Sequence, residues 1–299
     1  MKTLIIGTRG SGLALTQTEY IRGLLQQAHP GLVVEKKIIK TSGDVFQNVS
    51  LSASGGKGLF TKEIEEQLLS GLIHLAVHSM KDLPTELPDG LAIGAVPVRE
   101  DARDAFISKR FNTLDELPQG ALVASSSVRR RAQLLLRRPD LRVEEIRGNV
   151  ETRLRKLAEN DAVDATLLAC AGLKRLKLWQ NWGALRWQPL ELDVMIPAVG
   201  QGIIGCEVRA EDLETQELLA AINDADTLAC AEAERTFLRA LGGGCHVPYA
   251  GHTMVQGDQM RFIGGVFSAD GKTGKRVDIT GAKNDPQTLG ELAVKKVRE

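Results

Sequence analysis

Pro197-Ala198-Val199-Gly200-Gln201-Gly202-Ile203-Ile204-Gly205-Cys206-Glu207-Val208 is the stretch that decides how this chain is organised. Its first half is turn-prone, with a proline and two glycines, and its second half, Ile203 to Val208, is an apolar run that reads as a strand. The residues before it read as two successive α/β halves. The first hundred give strand, helix, strand, helix, strand: Leu4-Ile5-Ile6, a helix near 12–28, Val33 to Ile39, a helix near 60–70, and Ile73 to Val77. After Val96-Pro97-Val98 the order restarts with Ala121 to Ala124, a helix from about 128, Val143 to Ile146, a helix from about 150, and Ala165 to Cys170. A late strand that returns to the first sheet makes the first domain discontinuous, over 1–98 and 199–218, around a second α/β domain over 99–198. Downstream, Leu228, Ala229, Ala233, Phe237 and Leu238 recur at helical spacing between Ala225 and Leu241, and Gly242-Gly243-Gly244 ends that helix. Strands broken at Gln256-Gly257-Asp258 and Asp270-Gly271-Lys272, followed by a last helix, make a small α+β domain expected over 219–299. The fold class is α/β, with two paired α/β domains and a small C-terminal α+β domain.

Composition narrows the function classes. Of 299 residues, 43% are hydrophobic and 25% charged, the range of ordinary folded proteins. Lysine plus arginine equals aspartate plus glutamate at 38 each, so the chain as a whole offers no basic field to nucleic acid or to an acidic membrane. Aromatic residues make up only 4%, too few for a base-stacking platform. No run approaches the roughly 20 apolar residues that span a bilayer, and the N-terminus lacks a signal-peptide pattern, so a cytoplasmic protein is expected. The cysteines at 170, 206, 230 and 245 show no Cys-x-x-Cys spacing, so neither a metal site nor a structural disulfide is expected.

Paired α/β halves place ligands at the carboxyl ends of their strands, in the loops between the two halves. Asp82 stands in such a loop, after Leu75-Ala76-Val77-His78 and before Pro84; a helix cap or a partner for Lys81 is its plain alternative. Between Arg129 and Arg155 there are nine arginines against four carboxylates, which points to an anionic partner. Ser125-Ser126-Ser127 ends a strand and opens the helix of Arg129 and Arg130, so hydroxyls, free amides and guanidinium groups converge there. Arg147-Gly148-Asn149, with Arg153 one turn on, repeats the device, whereas Arg137, Arg138 and Arg142 read as a solvated face. Thr8-Arg9-Gly10-Ser11 adds an arginine and a hydroxyl after the first strand. Gly55-Gly56-Lys57-Gly58 lacks P-loop spacing and reads as a lid with one lysine, with Phe60 as cover for a flat ligand. Cys170, Cys206 and Cys230 sit in apolar patterns as small buried hydrophobes. Cys245, on a glycine-rich loop past a helix, is open between reactive thiol and buried filler on position alone.

Taken together, these residues resemble the porphobilinogen deaminase (hydroxymethylbilane synthase) family over essentially the whole chain. The resemblance rests on Thr8-Arg9-x-Ser11, Gly55-Gly56-Lys57-Gly58-Leu59-Phe60, His78-Ser79-Met80-Lys81-Asp82, Ser126-Ser127-Val128-Arg129-Arg130, Arg147-Gly148-Asn149, Ala171-Gly172-Leu173-Lys174-Arg175, Pro197 through Gly202, and Gly243-Gly244-Cys245-x-Val247-Pro248. It implies two periplasmic-binding-protein-like α/β domains, a third domain presenting Cys245, and a monomeric transferase of tetrapyrrole biosynthesis. It implies a dipyrromethane cofactor held by a thioether at Cys245, onto which four porphobilinogens are added with loss of ammonia before hydroxymethylbilane is released. Such a chain brings about twelve carboxylates into one site, which calls for many cations. Asp82 is the implied catalytic carboxylate, stabilising charge on the pyrrole nitrogen and moving protons. Arg9, Ser11, Lys57, Phe60, Ser79, Lys81, Ser127, Arg129, Arg130, Arg147, Arg153 and Arg175 are the implied cofactor and substrate contacts, with Gln17 and Gln201 beside them. A non-catalytic solute-binding protein is the main alternative that the two α/β halves allow.

Overall fold

The computed structural model describes residues 3–45, 61–243 and 247–299. The elements begin with β1 (Thr3–Thr8), α1 (Gly12–Ala28), β2 (Val33–Ile38), α2 (Ser42–Val45), α3 (Lys62–Leu69), β3 (Leu75–Ser79) and β4 (Leu91–Ala95). They continue with β5 (Asp104–Ser108), β6 (Leu122–Ala124), α4 (Val128–Arg137), β7 (Arg142–Glu144), α5 (Val150–Glu159), β8 (Ala165–Ala169), α6 (Cys170–Arg175), α7 (Leu178–Asn181) and β9 (Arg186–Pro189). The last are β10 (Ile204–Arg209), α8 (Leu213–Ala220), α9 (Ala225–Ala240), β11 (Tyr249–Gln256), β12 (Gln259–Phe267), β13 (Gly274–Ala282) and α10 (Pro286–Arg298). The chain divides into two compact units, residues 1–100 with 203–229, and 101–202 with 230–299.

In the first unit the strand order is β2-β1-β3-β10-β4. β1 runs parallel to β2 and β3, and β10 lies antiparallel between β3 and β4. The return expected for Ile203 to Val208 is therefore present, and it fills the middle of the sheet. One face buries Leu4, Ile6, Val77, Cys206 and Val208 against Ile21 and Leu25 of α1 and Leu219 of α8. The other buries Ile73 and Ala76 against Ile64 and Leu68 of α3. Ile21 and Leu25 are one turn apart, and so are Ile64 and Leu68; each helix thus turns one apolar stripe to the sheet and leaves its polar residues outside.

The second unit repeats this topology. Its order is β7-β6-β8-β5-β9, with β6 parallel to β7 and β8, and β5 antiparallel between β8 and β9. In each sheet a strand reached by a crossover lies beside the third parallel strand. Sequence reading names neither β4, β5 nor β9. β9 carries Pro189 on a sheet edge, where a missing backbone donor is tolerated, so its residues look unlike a strand until β5 is there to pair with them.

The antiparallel meander β11-β12-β13 belongs to the same unit. Gln256 pairs with Gln259, which leaves Gly257-Asp258 as a two-residue hairpin loop, with Gly257 at φ +61°. α10 buries Leu289, Ala293, Val294 and Val297, and Ala250 and Phe267 of the meander form a core with Ala132 of α4 and Ile196. Phe237 of α9 and Phe262 of β12 add tilted rings 4.9 Å apart.

Candidate active site

In the first unit the predicted residues emerge at the adjacent carboxyl ends of β1 and β3. Arg9 follows β1, and Ser11 caps α1 by accepting the Ala14 N–H at 3.3 Å. Gln17 is buried on α1 and its Nε2 donates to Ser79 Oγ at 2.9 Å, which ties the helix to the end of β3. Met80–Asp82 form one turn of 3-10 helix beyond β3. Met80 and Leu83 on either side are buried, and the Met80 N–H donates to the Ile203 carbonyl at 3.0 Å, whereas Asp82 is exposed. Among the described residues Asp82 has no hydrogen bond or ion pair, so neither a helix N–H nor Lys81 takes its carboxylate. The turn thus presents a solvated acid between two apolar anchors.

In the second unit the predicted residues separate into two groups. One lies at the carboxyl ends of β6 and β7. Ser127 caps α4 through the Arg130 N–H at 3.4 Å, and Ser126 Oγ donates to the Ile146 carbonyl at 2.6 Å, joining the two loops. Asn149 caps α5 through the Thr152 N–H at 2.8 Å. Gly148 holds φ +117°, and a Cβ there would stand 2.6 Å from Thr152 Cγ2, so only glycine makes this entry to the helix without strain. Arg153 Nε donates to the Gly148 carbonyl at 2.8 Å, and Arg147 pairs with Glu145 at 2.8 Å. Lys156 Nζ, which sequence reading passed over, reaches the Arg147 carbonyl at 3.0 Å.

The second group faces inward, around a residue that sequence reading missed. Asp104, at the start of β5, is fully buried. Arg130 gives it Nε at 3.0 Å and Nη2 at 2.7 Å, and Arg129 Nη1 lies 2.8 Å from its other oxygen. Gln201 Nε2 donates to the same carboxylate at 2.9 Å and to the Ala102 carbonyl at 2.7 Å. Burial alone would raise the Asp104 carboxyl, but the guanidinium charges of Arg129 and Arg130 outweigh it and hold it well below the usual carboxylate range. Arg129 and Arg130 are themselves only 5% and 6% exposed. The helix-start position that made them look like forks for an outside anion instead turns them onto an inside one. The available signal was Arg103-Asp104 directly before the apolar run Ala105 to Ile107, a charge at a strand entrance. Arg129 Nη1 and Gln133 Nε2 also donate to the Ile196 carbonyl, at 2.6 and 3.0 Å, and Arg175 Nη2 donates to the Gly202 carbonyl at 2.8 Å. Both ends of the segment that leads to β10 are thus gripped by side chains of this unit.

Lys57, Phe60 and Cys245 lie outside the described residues. The other cysteines are buried, and burial pushes the Cys170 and Cys206 thiols up to about 12, so neither supplies a thiolate near neutral pH. No group of three or more histidine, cysteine or carboxylate side chains suited to a metal ion occurs among the described residues, and no described helix is long and apolar enough to cross a membrane.

Residues 4–217 match the family model described as porphobilinogen deaminase, dipyromethane cofactor binding domain, and residues 228–299 match that described as porphobilinogen deaminase, C-terminal domain. The chain is 46% identical over 299 residues to the porphobilinogen deaminase of Macrococcus caseolyticus, covering 100% of this chain and 95% of that protein. It is 51% identical over 288 residues to the porphobilinogen deaminase of Acidithiobacillus ferrooxidans, covering 96% of this chain and 92% of that protein. Among solved structures it is similar to the VFT2 domain of Bordetella pertussis BvgS, with TM-score 0.45 and 16% identity over 74% of this chain and 86% of that one. The two family models together account for both five-stranded sheets and the C-terminal meander, and the chain belongs to the porphobilinogen deaminase family.

Proposed function

We propose that the chain joins four porphobilinogen molecules, with loss of ammonia from each, on a dipyrromethane held through a thioether at Cys245, and releases hydroxymethylbilane. The observation that carries this reading is Asp82, an exposed carboxylate without a partner among the described residues, at a strand end that also brings out Arg9 and Lys81. The donor set suits a carboxylate-rich group: Arg9, Ser11 and Lys81 in one unit, and Ser127, Arg147 and Arg153 in the other, lie just beyond the carboxyl ends of parallel strands, mostly near helix starts, with Arg175 at the last residue of α6. The dipyrromethane, when bound, supplies the nucleophilic pyrrole carbon to which the first substrate is joined.

Asp82 sets its carboxylate against the pyrrole nitrogen of porphobilinogen and stabilises the positive charge that develops there as ammonia leaves. Its oxygen then accepts the proton released once the new carbon–carbon bond has formed. Arg9, Ser11, Lys81, Arg147, Arg153 and Arg175 hold substrate acetates and propionates, and Ser79 and Gln17 brace the strand end behind Asp82. Lys57 and Phe60 cover the substrate. Arg129, Arg130 and Gln201 act behind the second unit's donors through Asp104, by fixing α4 and the 196–202 segment from inside. The same reading divides the chain at 1–98 with 199–218, 99–198 and 219–299, and has it work as a cytoplasmic monomer without nucleic acid. Intact mass tests the core of the proposal: active protein carries one dipyrromethane, and active protein of unmodified mass contradicts it.

A further inference from the structure

Beneath the Asp82 turn lies a buried polar pair that the reaction described above does not use. Glu207 stands in the middle of β10 with no exposed surface, between Cys206 and Val208 of the apolar core. Its carboxylate Oε2 is 3.0 Å from His78 Nε2 on β3, an ion-pair distance, while neither carboxylate oxygen nor that ring nitrogen has a hydrogen-bond partner among the described residues. In the β3–β10 register Gly205 faces His78 and Glu207 faces Ala76, so Glu207 and His78 meet diagonally on the face covered by α3. Glu65 of α3 is buried on that face too, its carboxyl raised by burial and by the charge of Glu207. No lysine or arginine pairs with any of the three among the described residues; Arg209, further along β10, is occupied by Asp212 and by the Leu68 and Ile73 carbonyls. A well-packed hydrophobe at 207 would serve stability at least as well as this charge, so stability alone does not explain it.

Geometry supplies the reason. Moving from Glu207 toward the end of β3, the next residue of β10 on this face is Gly205, and a Cβ there would meet Leu83 Cδ1 and Met80 Cε at 3.1 Å. Met80 and Leu83 are the buried anchors on either side of Lys81-Asp82, and the Met80 N–H is held by the Ile203 carbonyl. β10 and the residue before it therefore carry the whole seat of the turn: Ile203 takes its backbone, Gly205 takes its two apolar side chains, and Glu207 stands beside His78, two residues before Met80. We propose that Glu207 is a positioning residue for Asp82, acting through His78 to lock the end of β3 against β10 so that the Met80–Leu83 turn sits on Gly205.

This inference rests on Asp82 being the catalytic carboxylate, and the test separates the two. Steady-state kinetics with porphobilinogen on holoenzyme, with dipyrromethane content checked by mass, compare Glu207→Leu, Glu207→Gln and Asp82→Asn. Glu207→Leu is expected to keep the melting temperature and the cofactor, to lower kcat by about tenfold or more, and to leave KM within about twofold. Glu207→Gln, which keeps a polar side chain of the same length beside His78, is expected to recover most of that loss. In the Asp82→Asn background Glu207→Leu should cost nothing further. Wild-type kcat in folded Glu207→Leu, or a raised KM with kcat unchanged, overturns the inference; near-normal turnover in Asp82→Asn overturns the Asp82 reading instead. Should Glu207→Leu not fold, Gly205→Ala keeps the His78 pair and raises only the seat: lowered kcat at unchanged KM supports the inference, and unchanged kcat overturns it.

Discussion

Arg130 and Asp104 meet inside the protein in a charge-assisted pair, with the Nε and Nη2 of one side chain on a single oxygen of the other at 3.0 and 2.7 Å and almost no solvent at either. Arg129 takes the second oxygen, so one buried carboxylate balances two buried guanidinium groups. Removing the carboxylate leaves both cations uncompensated. Asp104→Ala is expected to lose about 3–5 kcal/mol of stability, measured by urea unfolding, even though residue 104 contacts no substrate in the proposed mechanism.

The same carboxylate contributes to the acid limit of stability. Arg129 and Arg130 hold the Asp104 carboxyl well below its unfolded value, so the unfolded chain binds the proton more tightly than the folded protein does. The stability that this difference supplies is complete above the unfolded value of about 3.9 and is lost as pH falls through the folded one. Unfolding free energy followed from neutral to strongly acid pH should fall more steeply in the wild type than in Asp104→Asn.

Asp82 is exposed and without a partner among the described residues, so its side chain adds little to folding. Asp82→Asn should change unfolding free energy by no more than about 0.5 kcal/mol, and intact mass should show the dipyrromethane still attached. Turnover should drop by about a hundredfold to a thousandfold, the scale of losing one group that stabilises developing charge.

Cysteine chemistry separates by burial. In the folded protein Cys170 and Cys206, with thiols near 12, should resist alkylation at neutral pH and react only in denaturant, as peptide mapping of the alkylated protein checks. Cys245→Ser should yield protein of unmodified mass without deaminase activity.

Gly148 joins the Arg147 turn to α5 at φ +117°, with no room for a Cβ beside Thr152. Gly148→Ala should cost about 1–3 kcal/mol of backbone and contact strain. Because the Gly148 carbonyl holds Arg153 and the Arg147 carbonyl holds Lys156, KM for porphobilinogen should rise more than kcat falls.

The local frame around the candidate residues was legible because its signals are local. Ser11, Ser127 and Asn149 cap their helices through an N–H three residues on, an interaction that sequence spacing states outright. The strands β1, β3, β6, β8 and β10 announced themselves as apolar runs, since both faces of each sheet are covered. β9 was illegible for the opposite reason: Arg186-Trp187-Gln188-Pro189 is a strand only because Ala105 to Ser108 is there to pair with it.

The alternation of strands and helices, the return of the chain through Ile203 to Val208, the turn that carries Asp82, and the motifs that place the chain in its family are all written in local sequence. These depend on periodicity, caps and turns that act over a few residues. What the charged residues meet, by contrast, follows from long-range packing. Arg129 and Arg130 reach Asp104 about 25 residues away in the chain, and Glu207 reaches His78 across 129. Whether a charge faces solvent, a ligand or a buried counter-ion is set by burial, and burial belongs to the packed fold rather than to any local stretch of sequence.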